Sequence, residues 1–206
     1  MLTNREFHLQ TGNLAYKTGF SFTKRDSWVT KGILGLLFTF LGRRVPEKGL
    51  TYLIDAFKNV DTDFKLVIAG GSSDTDTYTD QIKNMAKDDL RILFTGFVQG
   101  KMLEELYSNA YVYVLPSDVE GMPLSLLEAM SYGNCCLVSD IKEITEVVED
   151  KAVIFPKGNV NLLTKKLQFL CDNKSEVAQY KAQATEFICG KYNWNSVVNE
   201  TVSLYY

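Results

Sequence analysis

Leu36-Leu37-Phe38-Thr39-Phe40-Leu41-Gly42-Arg43-Arg44-Val45-Pro46-Glu47-Lys48-Gly49 runs from an apolar stretch through a glycine into a loop carrying three cations. A short apolar run bounded in this way reads as a strand buried on both faces, as the strands of parallel sheets are. Working outward, β-rich runs near 37–41, 64–69, 91–94, 111–115, 135–138 and 152–155 alternate with helical patterns near 49–60, 77–88, 101–109, 123–132, 141–149 and 160–171. Strict alternation implies right-handed βαβ units and hence an α/β fold: a Rossmann-like parallel sheet of about six strands with helices on both faces. Ligands of such sheets bind outside the carboxyl ends of the strands, where the loops 42–48, 70–76, 96–100 and 116–122 emerge. Two further helices, about 175–190 and 194–205, follow with no strand after them.

The loop after the fourth strand leads into a helix. Seven residues separate Glu120 from Glu128, and the segment between them is Gly121-Met122-Pro123-Leu124-Ser125-Leu126-Leu127. Pro123 suits the first helical position, where a missing N–H costs nothing, and Gly121 lets a ligand or another backbone come close. A helix start of this kind favours anions through its free N–H groups and its positive dipole end. The N–H groups of Met122, Leu124 and Ser125 are the candidate donors, with the Ser125 hydroxyl beside them. Glu128, about a turn and a half in, tilts back toward the same end. A carboxylate there repels a phosphate unless it is occupied with hydroxyl groups, which ribose or hexose would supply. Taken alone, two acidic residues flanking a helix start signify capping or solvation.

Composition removes several other classes of function. The 206 residues, 46% hydrophobic and 23% charged, are ordinary for one soluble globular domain. A net charge of -3 gives no general attraction to nucleic acid, so anion binding has to come from a local cluster such as Arg43, Arg44 and Lys48. His8 is the only histidine, which excludes a histidine-based triad. Cys135, Cys136, Cys171 and Cys189 lack metal-ligand spacing and read as small core residues. The longest apolar stretch, Ile33 to Leu41, falls short of the ~20 residues of a membrane span. With no apolar signal region at the N-terminus, cytoplasmic residence is the expectation, and peripheral contact with the inner membrane face stays open. Asp74-Thr75-Asp76 has the spacing of a metal-binding acidic pair but lies in a Ser/Thr/Asp-rich turn, so no metal is expected.

The cation loop resembles the Gly-Arg…Lys-Gly signature of retaining glycosyltransferases of family 4, and Glu120…Glu128 resembles that family's paired-glutamate motif. Further similar pieces lie in order: Leu66-Val67-Ile68-Ala69-Gly70-Gly71, Phe94-Thr95-Gly96-Phe97-Val98, Tyr111 to Ser117, Ser139-Asp140-Ile141 and Tyr192-Asn193-Trp194. The resemblance covers roughly residues 37–206 and implies the C-terminal, donor-binding half of the two-domain GT-B fold, with residues 1–36 an extension or linker. It implies transfer of a sugar from a UDP-, GDP- or ADP-linked donor to a saccharide, lipid or polymer hydroxyl, with retention and without a further cofactor.

Residue by residue, the resemblance assigns the donor diphosphate to Gly42, Arg43 and Lys48, and the ribose hydroxyls to Glu128. Glu120 falls nearest the transferred sugar, so Glu120, Arg43 and Lys48 are the catalytic candidates. Gly121, Met122, Leu124 and Ser125 complete the donor loop, although the family's commonest wording there is Gly-Phe-Gly-Leu-Pro. Phe97 and Val98 stand where relatives hold the base; an apolar pair after a strand is more often core. Arg44, at a position that is apolar in many relatives, reads as a solvated loop cation, and Trp194 as a packing residue of the last helix. The alternative is a non-catalytic nucleotide-sugar-binding or partner-docking subunit, acting through the final helix on an N-terminal partner domain or by self-association. A dinucleotide oxidoreductase lacks its Gly-any-Gly-any-any-Gly turn after the first strand.

Overall fold

The computed structural model describes residues 37–71 and 76–205; the side chains of residue 76 and of residues 194–197 fall outside that description. The expectations for residues 1–36, for Asp74-Thr75 and for the Trp194 side chain therefore lie outside the described residues. Six parallel strands, β1 (Leu37–Leu41), β2 (Lys65–Ala69), β3 (Ile92–Gly96), β4 (Ala110–Leu115), β5 (Cys135–Ser139) and β6 (Val153–Phe155), form one sheet in the order β3-β2-β1-β4-β5-β6. Between them run α1 (Leu50–Lys58), α2 (Asp76–Ala86), α3 (Lys101–Ser108), α4 (Leu124–Ser131) and α5 (Lys142–Val148). After β6 come α6 (Val160–Asp172), α7 (Lys174–Lys191) and α8 (Trp194–Ser203). Each expected strand and helix is present within a few residues, and the α/β reading holds.

The sheet supplies the core. β1 and β5 are buried along their whole length, so Phe38, Phe40, Cys135, Cys136 and Leu137 all lose contact with water. Both cysteines are free thiols whose burial pushes them up, Cys135 to about 12, while Cys171 and Cys189 are half-buried. The helices close the two faces, α1 packing on α2 and α6, and α4 on α7. No helix among the described residues is long and apolar enough to cross a membrane.

Strand order decides where ligand chemistry can sit. From β1 the chain winds outward to β2 and β3, then returns to β4 on the other side of β1 and winds outward to β6. The point of reversal lies between β1 and β4, and ligands of open α/β sheets bind in the crevice at the carboxyl ends of the strands beside such a point. Two glycines let backbone close in around it. Gly49 (φ 65) caps α1, and a Cβ there would lie 2.0 Å from the Pro116 carbonyl oxygen at the end of β4. Gly70 (φ 142) follows β2, where a Cβ would stand 1.8 Å from the Gly42 carbonyl oxygen. Both conditions exclude any larger side chain.

Arg44 departs from expectation. It is 8% exposed rather than solvated; its N–H bonds the Gly71 carbonyl at 2.9 Å, and its Nε is buried with no partner among the described residues. Nor does it form an ion pair among the described residues. Extended backbone sends successive side chains to opposite sides, so exposed Arg43 takes the solvent direction and Arg44 the inner one. An unsatisfied buried donor costs about 1–3 kcal/mol, so Arg44→Met is expected to raise stability to urea by about that amount. A lower stability would show that the guanidinium has a partner it cannot lose.

Candidate active site

The loops after β1 and β4 are laced together across the crevice. The Asp118 N–H donates to the Glu47 carbonyl at 2.8 Å, and the Tyr52 hydroxyl donates to Asp118 Oδ2 at 3.1 Å. A 3-10 turn, Pro46–Lys48, aims Lys48 over the crevice; Pro at its first position and left-handed Gly49 at its end begin and stop it. There Lys48 Nζ donates to Glu120 Oε1 at 2.6 Å, with the side chains 16% and 6% exposed. Ser117 Oγ donates to the same oxygen at 2.7 Å, and the Ser117 carbonyl is itself held by the Ser139 hydroxyl at 2.6 Å. Two of the three catalytic candidates, 72 residues apart in the chain, are thus one contact.

Arg43 stands on the same rim and is exposed. Glu128 also projects to the surface, and one of its oxygens, Oε2, accepts from the Tyr107 hydroxyl at 2.7 Å. Ser125 is half-buried, its hydroxyl 2.8 Å from that of Tyr113. Gly121 is exposed, and a Cβ on it would meet nothing within 4 Å, so the protein's own packing does not demand glycine there. Met122 and Leu124 are exposed beside it.

The helix entrance differs from the expected one. Pro123 is the N-cap, not the first helical residue, with φ -78 and ψ 73. Those angles make an inverse γ-turn in which the Leu124 N–H donates to the Met122 carbonyl at 2.9 Å. Leu124 therefore has no free N–H for a ligand. The backbone groups of Met122 and Ser125 keep theirs among the described residues.

Phe97 and Val98 separate. Val98 is buried in the core, as an apolar residue after a strand is expected to be, whereas Phe97 is 73% exposed. Gly96, in the left-handed region at φ 74, ends β3 and turns the chain so that the Phe97 ring comes over Gly71. An aromatic face is left open on the carboxyl rim. Sequence reasoning gave no role to Tyr52, Tyr107, Tyr113, Ser117 and Asp118, although Tyr113 and Ser117 fall in the Tyr111 to Ser117 stretch that carries part of the family resemblance.

Against known proteins, residues 35–187 match the family described as glycosyl transferases group 1. The chain belongs to that family. Among its curated relatives is an uncharacterized glycosyltransferase of Methanocaldococcus jannaschii, 30% identical over 177 residues, which are 82% of this chain and 44% of that protein. The O-antigen chain mannosyltransferase B of Escherichia coli is 27% identical over 174 residues, 81% of this chain and 44% of its own length. Among solved structures, Anabaena HepE in complex with UDP and glucose superposes with a TM-score of 0.78 at 18% identity, covering 85% of this chain and 50% of that one. At that identity the likeness speaks for the fold, which is the Rossmann-like architecture of GT-B glycosyltransferases. The group 1 domain seen here spans about half the length of the curated relatives it matches.

Proposed function

We propose that residues 37–206 are the donor-binding domain of a retaining glycosyltransferase of family 4 and that the crevice between β1 and β4 takes a nucleoside diphosphate sugar. The observation that carries this reading is the Lys48–Glu120 contact at 2.6 Å beside the entrance of α4. Lys48, Arg43 and the free N–H groups of Met122 and Ser125 gather positive charge where a diphosphate would sit, and that charge also serves a leaving phosphate. Gly42 and Gly121 leave room for it. Glu128 keeps Oε1 for ribose hydroxyls, Glu120 lies toward the transferred sugar, and Phe97 offers a face to the base. Support also comes from HepE, whose structure holds UDP and glucose, and from the relative named a mannosyltransferase. A saccharide, lipid or polymer hydroxyl is the acceptor, residues 1–36 are an extension or linker, and the reaction runs in the cytoplasm or at the inner membrane face.

Calorimetry with UDP, GDP and ADP, with and without magnesium, tests the proposal. One of the three is expected to bind without magnesium. Silence with all of them at millimolar concentration overturns it, and a strict magnesium requirement overturns the metal-free part. A docking subunit is the second reading, favoured by the C-terminal end of the chain, where Val202 on α8 and Leu204 and Tyr205 just after it are exposed. In that case nucleotide binding persists while transfer is absent in every context.

A further inference from the structure

Behind the entrance of α4 stand two buried tyrosines, Tyr107 on α3 and Tyr113 on β4, their ring centroids 6.3 Å apart. Both hydroxyls point at the first turns of α4. That of Tyr107 lies 2.7 Å from Glu128 Oε2 and 3.3 Å from the Ser125 carbonyl oxygen. That of Tyr113 lies 2.8 Å from Ser125 Oγ and 3.3 Å from the Leu41 carbonyl oxygen. A phenol has one proton to give, so each pair of distances poses a choice. Burial pushes both phenols well above the ordinary tyrosine range, which keeps that proton in place.

For Tyr107 the charged acceptor at the shorter distance wins. Glu128 is thereby anchored through Oε2, and Oε1 faces outward as an acceptor. For Tyr113 two arrangements compete. When its proton goes to the Leu41 carbonyl, Ser125 must donate back to the phenol and can only accept from a ligand. When its proton goes to Ser125 Oγ, the serine proton is released toward the helix entrance. An anion there selects the second arrangement, and the two hydroxyls in series polarise one another.

We propose that Tyr113 and Tyr107 are positioning residues that divide one ligand between them: Tyr113, through Ser125, turns a hydroxyl donor toward phosphate, and Tyr107, through Glu128, presents an acceptor oxygen to a sugar diol. This deepens the nucleotide-sugar reading and rests on it. Neither tyrosine needs to touch the ligand, and their effects separate by ligand part.

Calorimetry uses three probes: the nucleoside diphosphate that binds best of UDP, GDP and ADP, its nucleoside, and inorganic pyrophosphate. Tyr113→Phe is expected to weaken the diphosphate and pyrophosphate by about threefold to tenfold, the worth of one hydrogen bond, and to leave the nucleoside unchanged. In a Ser125→Ala background it should do nothing more. Tyr107→Phe is expected to weaken the diphosphate and the nucleoside by a similar factor and to spare pyrophosphate. Ser125→Ala and Glu128→Gln probe the same contacts from the helix side, so a phenylalanine variant that fails to fold still leaves the inference open to refutation. Equal losses on all three probes would show that the tyrosines act only on packing, and wild-type affinities in both variants would overturn the inference while leaving nucleotide binding intact. A wild-type protein that binds none of the three nucleotides fails the underlying reading, and this inference with it.

Discussion

Lys48→Met is expected to weaken nucleotide binding by tenfold to hundredfold and, independently, to lower the stability of the free protein by about 2–4 kcal/mol. Its partner Glu120 is 6% exposed and would be left with Ser117 as its remaining donor among the described residues. Removing one member of a buried pair typically costs ~3–5 kcal/mol, because the other charge stays behind in a poor solvent; Lys48, at 16% exposed, is slightly wetter than that case. Replacing both partners, Lys48→Met with Glu120→Leu, should recover most of the loss, since no charge is then stranded. Urea denaturation of the wild type, the two single variants and the double variant forms a closed cycle, with a coupling of at least ~1 kcal/mol expected. Nucleotide affinity behaves differently: it falls by tenfold to hundredfold in the Lys48 variant, on the order of one charge-assisted hydrogen bond, and the double variant does not regain it. Strictly additive stabilities would mean that the two side chains do not hold each other in solution.

That coupling could not be read from the sequence, and the reason is topological. Periodicity marks β1 and β4 as strands, and the residues after each as loops on one rim. It does not say that β4 returns to lie beside β1, which is what carries Glu120 across 72 residues to Lys48. Both residues were legible as candidates, each from its own motif; their contact was not. The errors at single positions have local causes of one kind. Arg43 and Arg44, and likewise Phe97 and Val98, are neighbours of similar chemistry on non-helical backbone, where the side chain that goes inward depends on a one-residue phase. For the second pair the phase is set by Gly96 at φ 74, and glycine in a sequence does not announce its dihedral angles. At Pro123 the alternatives, N-cap or first helical residue, differ in ψ, which the sequence does not give: at 73° it is not helical, and Leu124 bonds back to Met122. Tyr107 falls in an expected helix and Tyr113 in an expected strand, and both are buried; their hydroxyls acquire a role only once α4 is packed against them.

Sugar transfer by these 206 residues purified alone is expected to be slower by a factor of about 10⁵ or more than by a complete two-domain relative, while nucleotide binding survives. The proposed donor contacts all come from the loops and the α4 entrance on one carboxyl rim, and that rim is open: Phe97, Val119, Met122 and Leu124 on it are exposed. Group transfer between two substrates gains most of its rate from holding both in register and keeping water out, and a single wall does neither. The chain spans 44% of the length of the curated relatives, so a second wall of comparable size is available in them. Two measurements on one sample make the test: calorimetric affinity for the donor, and initial rates of transfer to added glycan or lipid acceptors alongside the rate of donor hydrolysis. Binding with slow, acceptor-insensitive hydrolysis is the expected pair of results, because water reaches an open donor site as readily as any hydroxyl does. Light scattering on the same sample reports whether exposed Val202 on α8, with Leu204 and Tyr205 after it, draws copies together. Fast, acceptor-specific transfer by the monomer would mean that one rim suffices, and the reading of this domain as half of an active cleft would fall.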